Sequence, residues 1–311
     1  MAAVTAAMVK ELREMTGAGM MDCKKALAAT EGDMDKAVEF LREKGLAGAA
    51  KKAGRIAAEG IVATALSADE KKAVVVEVNA ETDFVAKNEK FQTYVADVAA
   101  QALNTTAADI DAFLNEKWEK DQSLTVAEAL SSQISIIGEN MKIRRFTQVE
   151  EANGFIASYI HAGGKIGVLV DVETDVVNDE LKVMAKNVAM QAAALKPLYT
   201  SRDEVDADYI EKEKEILMVQ AKNEKPDANE KILNGMVMGR INKELKEICL
   251  LDQVYVKAED GKQVVSKYVE EVAKANNAKI KIKKFVRFET GEGLEKKNED
   301  FAAEVAAQMN A

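Results

Sequence analysis

The sequence predicts an α+β protein in which helices cover small antiparallel sheets, and three observations predict it. A long internal repeat joins segments of strand-like alternation to helical ones. A pair of heptad-spaced stretches interrupts the second copy. There are only two prolines in 311 residues, Pro197 and Pro226, so little stops long helices from forming.

The repeat carries most of the argument. Gly60-Ile61-Val62-Ala63 matches Gly154-Phe155-Ile156-Ala157 at an offset of 154 − 60 = 94, and Val75-Val76-Glu77-Val78 matches Leu169-Val170-Asp171-Val172 at the same offset. Ala99-Ala100-Gln101-Ala102 then matches Ala189-Met190-Gln191-Ala192 at 189 − 99 = 90. The first copy therefore has four extra residues between Val78 and Ala99. The segment beginning at Asn79 and running through Thr82, Asp83, Phe84 and Lys87 occupies the start of that interval. Both copies end alike, in Met141-Lys142-Ile143-Arg144-Arg145-Phe146 and Ile280-Lys281-Ile282-Lys283-Lys284-Phe285, apolar and basic residues alternating as in a half-buried strand. Each unit reads as a strand, a tight turn, a second strand, helices and a third strand. That gives two three-stranded antiparallel sheets in a pseudo-symmetric core, over residues 56–150 and 151–288.

Residues 1–55 read as a compact three-helix head. Met8, Val9, Leu12 and Met15 have helical spacing, Gly17 and Gly19 break that helix, Asp22 opens a second, and Gly32-Asp33 breaks and caps before a third that Gly45 closes. Lys51 to Arg55 read as a solvated linker. Residues 205–248 read as an antiparallel helical hairpin. Val205, Tyr209, Lys212, Ile216 and Val219 form one strip, Lys225-Pro226-Asp227 the turn, and Leu233, Val237, Ile241, Leu245 and Ile248 the return. It is either a structural arm or a contact arm for a partner or a second copy, the latter making a homodimer. Residues 289–311 hold a loop and a short amphipathic helix with Phe301, Val305 and Met309 every fourth residue.

Composition narrows the function. The net charge is −10, and no basic stripe interrupts it, so direct nucleic-acid binding is not expected and a protein partner is. The two cysteines, Cys23 and Cys249, lie far apart and fit no metal-ligand spacing, as in a reducing cytosol. Neither a signal peptide nor a run of about 20 apolar residues suggests export or a membrane span, so a cytoplasmic location is expected. Catalysis would rest on the single histidine, His161, which precedes Ala162-Gly163-Gly164 in what reads as a hairpin loop. Gly163-Gly164-Lys165 is too short for a phosphate-binding loop, and Gly291-Glu292-Gly293 lacks the third glycine of a dinucleotide fingerprint. No cofactor or resident metal is expected.

Several stretches resemble one family. Thr16-Gly17-Ala18-Gly19-Met20-Met21-Asp22-Cys23-Lys24-Lys25-Ala26-Leu27 is similar to the N-terminal signature of the elongation factor Ts family, and Thr82-Asp83-Phe84-Val85-Ala86-Lys87-Asn88 to its second signature. Ile137-Gly138-Glu139-Asn140 with Ile143-Arg144-Arg145, and the tail from Arg287 to Ala306, are similar as well. The resemblance spans the chain. It implies a ubiquitin-associated-like head, a duplicated core, a coiled-coil arm and a terminal helix. It also implies a guanine nucleotide exchange factor without covalent chemistry, whose partner is elongation factor Tu in its GDP-bound and nucleotide-free forms.

By that resemblance Asp83 and Phe84, with Thr82 and Val85 beside them, enter the partner's G domain near its Mg²⁺, Phe84 as a wedge between helices. Leu12 and Arg13 of the first helix, Ile137-Gly138 and His161 would supply further contacts. Each has a structural alternative: Phe84 packed under its own loop, Asp83 a helix cap, Leu12 bundle core, Gly138 a turn former, His161 a loop donor. Two other functions compete: a small-molecule enzyme, for which the residues offer no device, and a scaffold, for which the Asp83-Phe84 loop would be expendable.

Overall fold

A computed structural model describes residues 4–295, so the expected helix around Phe301 lies outside the described residues. The head is helical. α1 (Ala6–Thr16) starts on the Thr5 side chain and ends at Gly17, whose φ of 67° is the left-handed turn a glycine makes freely. α2 (Met20–Ala29) begins two residues earlier than Asp22, because Gly19 already holds the extended cap conformation. α3 (Met34–Lys52) starts at Asp33, which accepts from the Lys36 N–H. Gly45 does not close it. The helix runs on to Lys52, so Lys51 and Lys52 are its last turn and not a linker. Gly45 is the close-approach point against the next layer: a Cβ there would stand 3.7 Å from Ser135 Cβ. Val9, Leu12, Cys23, Ala26, Leu27 and Ala37 seal the centre of the head.

In the first copy β1 (Glu59–Leu66) and β2 (Lys72–Ala80) pair antiparallel. They are followed by α4 (Asp83–Ala86), α5 (Glu89–Asn104), α6 (Ile110–Leu114), the short ribbon β3 (Lys117–Trp118) and β4 (Asp121–Thr125), α7 (Val126–Ile137) and β5 (Met141–Glu150). The second copy has β6 (Gly154–His161), β7 (Ile166–Thr174) and α8 (Asp179–Leu195). The hairpin α9 (Ala207–Glu224) and α10 (Glu230–Ile248) then intervenes, before α11 (Val265–Ala275) and β8 (Ile280–Glu289). The sheets are ordered β1-β2-β5 and β6-β7-β8, both antiparallel, so the α+β class and the duplicated architecture hold. Nothing in the pattern announced α6 or the β3-β4 ribbon, which are too short to show a period.

The offset reappears in the bonds. Val62 N–H donates to Gly164 O at 2.7 Å and Ile156 N–H to Glu70 O at 2.7 Å, the same bond displaced by 94 residues. Between the sheets lie Val62, Val75, Val149, Ile156, Leu169 and Phe288. Gly60 and Gly154 begin the paired hairpins where backbone meets backbone. A Cβ would lie 2.2 Å from Val78 O at one and 1.9 Å from Val172 O at the other. Both central strands carry a bulge at the next pair, Glu77/Val78 and Asp171/Val172.

Those bulges bury a carboxyl each, and the two are balanced differently. Burial pushes the Glu77 carboxyl up, but the Gly291 N–H, the Asn79 amide and Arg145 outweigh it and leave it below its ordinary value. Arg144 and Arg145 reach its oxygens at 3.0 and 2.6 Å. Asp171 faces Glu151 instead; burial and that neighbour push it up to about 6, with Lys283 and Lys284 opposing.

The hairpin forms as expected around Pro226, but its seam differs on α9. Ala221 with Leu217 and Met218 packs against Leu233, Val237, Ile241 and Leu245. Ile216 and Val219 are 51% and 60% exposed. The strip through Tyr209, Lys212, Ile216 and Val219 is thus only partly the inner one, because the helix turns its Leu217–Ala221 edge inward. No helix among the described residues is long and apolar enough to cross a membrane.

Candidate functional site: the loop before the second core helix

The four extra residues of the first copy lie between β2 and α5. That link spans 81–88, eight residues, whereas the link from β7 to α8 spans 175–178, four. The surplus is the single turn α4. Thr82 stands at its N-terminus in an extended conformation, and its hydroxyl oxygen accepts from the Val85 N–H. Asp83 is therefore not the cap, a role that falls to Thr82 for this turn and to Asn88 for α5. Val85 and Ala86 point into the first copy's core. Phe84 points the other way and is 80% exposed.

Beside it, Asp83 Oδ2 accepts from Lys87 Nζ at 2.6 Å, and the same ammonium sits 5.9 Å from the Phe84 ring centroid. That hydrogen bond, with the charges of Lys87 and Lys165, holds the Asp83 carboxyl below its ordinary value. Lys165 belongs to the β6-β7 turn and is ion-paired with Glu59. The second copy's turn thus approaches the first copy's loop. His161 ends β6 on the same turn, exposed, its Nδ1 2.9 Å from the Tyr159 hydroxyl.

The loop is held from below by the end of α7. That helix opens with a capping box, Thr125 with Glu128, and ends at Gly138, whose φ is 92°. The left-handed turn sends the chain back along β5. It delivers Glu139, whose Oε2 and Oε1 accept from the Thr82 N–H and hydroxyl at 3.0 and 2.7 Å. The exchange is reciprocal: Glu81 Oε1 accepts from the Asn140 N–H at 2.6 Å. The Asn140 amide also donates to Arg55 O at 2.7 Å, tying in the exit from the head. A hollow of about 330 Å³ lies here, lined by Phe84, Val85, Asn88, Lys90, Ile136 and Ile137. The α1-α2 turn touches it, since a Cβ on Gly17 would be 3.2 Å from Ile136 Cδ1.

The structure thus brings Thr82, Asp83, Phe84, Val85, Ile137 and Gly138 into one patch, with Lys165 in electrostatic range. Leu12 and Val85 carry a correction. Both side chains are buried in their own packing, so neither presents its side chain to a partner in this conformation; Arg13, next to Leu12, is exposed. Among the described residues no group of three or more His, Cys, Asp or Glu could hold a metal ion. Cys249 is buried, and burial pushes its thiol up to about 11.

A family model described as Elongation factor TS matches residues 81–292, from the first residue after β2 to the loop after β8. The chain is 54% identical over 307 residues to elongation factor Ts of Clostridium botulinum (strain Eklund 17B / Type B), covering 98% of this chain and 99% of that one. It is 55% identical to that of Clostridium tetani (strain Massachusetts / E88) at the same coverage. It is 54% identical to that of Clostridioides difficile (strain 630), covering 99% and 100%. The chain belongs to the elongation factor Ts family.

Membership makes it a translation elongation factor. Sequence reasoning about this elongation factor Ts family member reached Phe84 but gave no role to Glu81, Glu139, Asn140 or Lys165. Glu139 and Asn140 stood in a quoted motif. The signal that would have found them is their place just after a helix-ending glycine, where a side chain can reach another loop's free N–H groups.

Proposed function

We propose that the chain is a guanine nucleotide exchange factor for elongation factor Tu, working in the cytoplasm by binding and without covalent chemistry of its own. The observation that carries the reading is Phe84: a large aromatic ring left in water on a turn that is anchored in the core by Val85 and Ala86. A ring so presented gains about 1.5–3 kcal/mol when a partner covers it. Asp83 stands next to it as a carboxylate, its charge kept by Lys87. Inserted together, ring and carboxylate separate helices of the G domain and disturb the Mg²⁺ that holds GDP there.

The direction of the effect follows from linkage. Whatever factor the exchange protein removes from GDP affinity, GDP removes from the affinity for the exchange protein. The nucleotide-free complex is the tight one, and incoming nucleotide ends it. In this reading Arg13, Gly138 and His161 belong to the same interface, and the head contributes to it from its first helix. The test is release of a fluorescent GDP analogue from elongation factor Tu. The protein should raise the release rate saturably; a release rate that does not change at any concentration of the protein rejects the reading.

A further inference from the structure

Each copy of the repeat closes its sheet with a carboxylate just past the second strand. In the first copy Glu81 accepts from the Asn140 N–H at 2.6 Å; in the second, Asp175 accepts from the Lys279 N–H at 2.7 Å. The donors are 139 residues apart and the acceptors 94, the offsets of the repeat itself. Gly138 and Asn277, also 139 apart, both adopt left-handed φ, 92° and 49°. This half of the contact therefore belongs to the fold. The other half does not. Glu139 has Ala278 at its matching position, so no carboxylate reaches back in the second copy. Glu139 occurs in the copy that has α4, and it binds the residue on which α4 begins.

We infer that Glu139 is a positioning residue for exchange: its carboxylate fixes Thr82, and through Thr82 the direction in which Phe84 projects. The inference rests on the exchange reading above. Both carboxylate oxygens are used, one on the backbone N–H and one on the hydroxyl, so Thr82 can neither rotate nor lift. The hydroxyl donates to Glu139 and accepts from the Val85 N–H at 3.4 Å, so its proton direction is set by the carboxylate. A four-residue turn has too little helix to hold itself. Without Glu139 it keeps the burial of Val85 and Ala86, the Lys87–Asp83 pair and the Gln92 amide on Ala86 O, none of which fixes Thr82 from outside the turn, and the ring samples orientations that do not fit the partner. The contact also ties the Phe84 loop to Gly138, so two segments 57 residues apart meet a partner as one rigid surface.

The experiment compares parent, Glu139→Ala, Thr82→Val, Thr82→Ser and Phe84→Ala in fluorescent GDP release, at a temperature where their circular dichroism matches the parent. Glu139→Ala and Thr82→Val should each lower the maximal release rate about tenfold, with the half-saturating concentration moving less, as expected of lost orientation. Thr82→Ser should stay near the parent. In the Phe84→Ala background, Glu139→Ala should add less than about a factor of two, because it acts through that ring. Hydrogen exchange of the free protein should rise across residues 82–88 in Glu139→Ala. Parent-like release by Glu139→Ala, a full further tenfold loss on top of Phe84→Ala, or unchanged protection of 82–88 would overturn the inference and leave the exchange reading standing. Failure of the parent itself to accelerate release overturns the exchange reading, whatever the protection of 82–88.

Discussion

Replacing Phe84 by alanine separates binding from stability, because the ring is so little covered by its own chain. A fully buried phenylalanine costs about 3–5 kcal/mol on truncation. Phe84 is 80% exposed, so about a fifth of that, under about 1 kcal/mol, is at stake in the free protein. In a chain of this size that moves the melting temperature by less than about 3 °C. In the complex the same ring is worth about 1.5–3 kcal/mol, which is about ten- to a hundredfold in the exchange efficiency. Lys87, which sits over the ring, still has Asp83 as its partner, so the truncation orphans no charge. Both quantities are read on one preparation, melting by circular dichroism and release of a fluorescent GDP analogue by stopped flow. A variant that melts far below the parent would show that the ring belongs to the core. One that melts normally and exchanges at the parent rate would show that the ring is idle. Either result refutes the reasoning.

Three further predictions follow from other parts of the structure. Gly154→Ala should destabilise by more than about 3 kcal/mol in urea, since its Cβ would stand 1.9 Å from Val172 O and the strands must part; a loss below about 1 kcal/mol would mean that the strand start shifts freely. Gly45→Leu should lift the head from α7, where a Cβ already meets Ser135 at 3.7 Å; proteolysis near Gly54 should quicken and the half-saturating concentration rise several-fold while the core melts as before. Asp171→Asn should stabilise the protein more at neutral than at acid pH. The folded state raises Asp171 from 3.8 to about 6, so the stability it contributes is full below about pH 4 and lost as pH rises through about 6. The asparagine variant lacks that loss, and urea midpoints that differ from the parent equally at both pH values would contradict it.

What was legible in the sequence was whatever two copies had to share. Gly60 and Gly154, the alternation around Val75 and Leu169, and the basic strands at Ile143 and Ile282 are imposed by one architecture used twice, and they gave away both sheets. The length difference even located α4, because an insertion in one copy of a repeat has no other explanation than a local feature. Contacts between loops distant in sequence were not legible. Glu139 reaching Thr82 depends on how α7 ends relative to β2, a tertiary relation that no periodicity encodes. Gly45 misled for a related reason. Inside a helix it looks like a stop, and only the closeness of α7 shows that it is there for packing. On α9 and the residues leading into it the heptad reading caught the inner edge at Val205 and Tyr209 but not at Ile216 and Val219, since a short antiparallel hairpin with two candidate apolar strips is decided by the facing helix.

The loop proposed to act on the partner lies where the two copies differ. The two halves remain alike where they face each other. The paired bonds from Val62 and Ile156, the two strand-opening glycines and the two bulges are kept at fixed offsets, because any change in one sheet must be met in the other. They differ where they face outward, and there the differences are coordinated. The first copy gained α4 and, 57 residues away, a carboxylate that holds it. The second gained a helical hairpin in the stretch where the first has α6 and a small ribbon. A core symmetric inside and asymmetric outside is a stable base for elements that do little for stability themselves. The proposed exchange needs that division, because a side chain that is to open a partner must tolerate water and yet be aimed before the partner arrives.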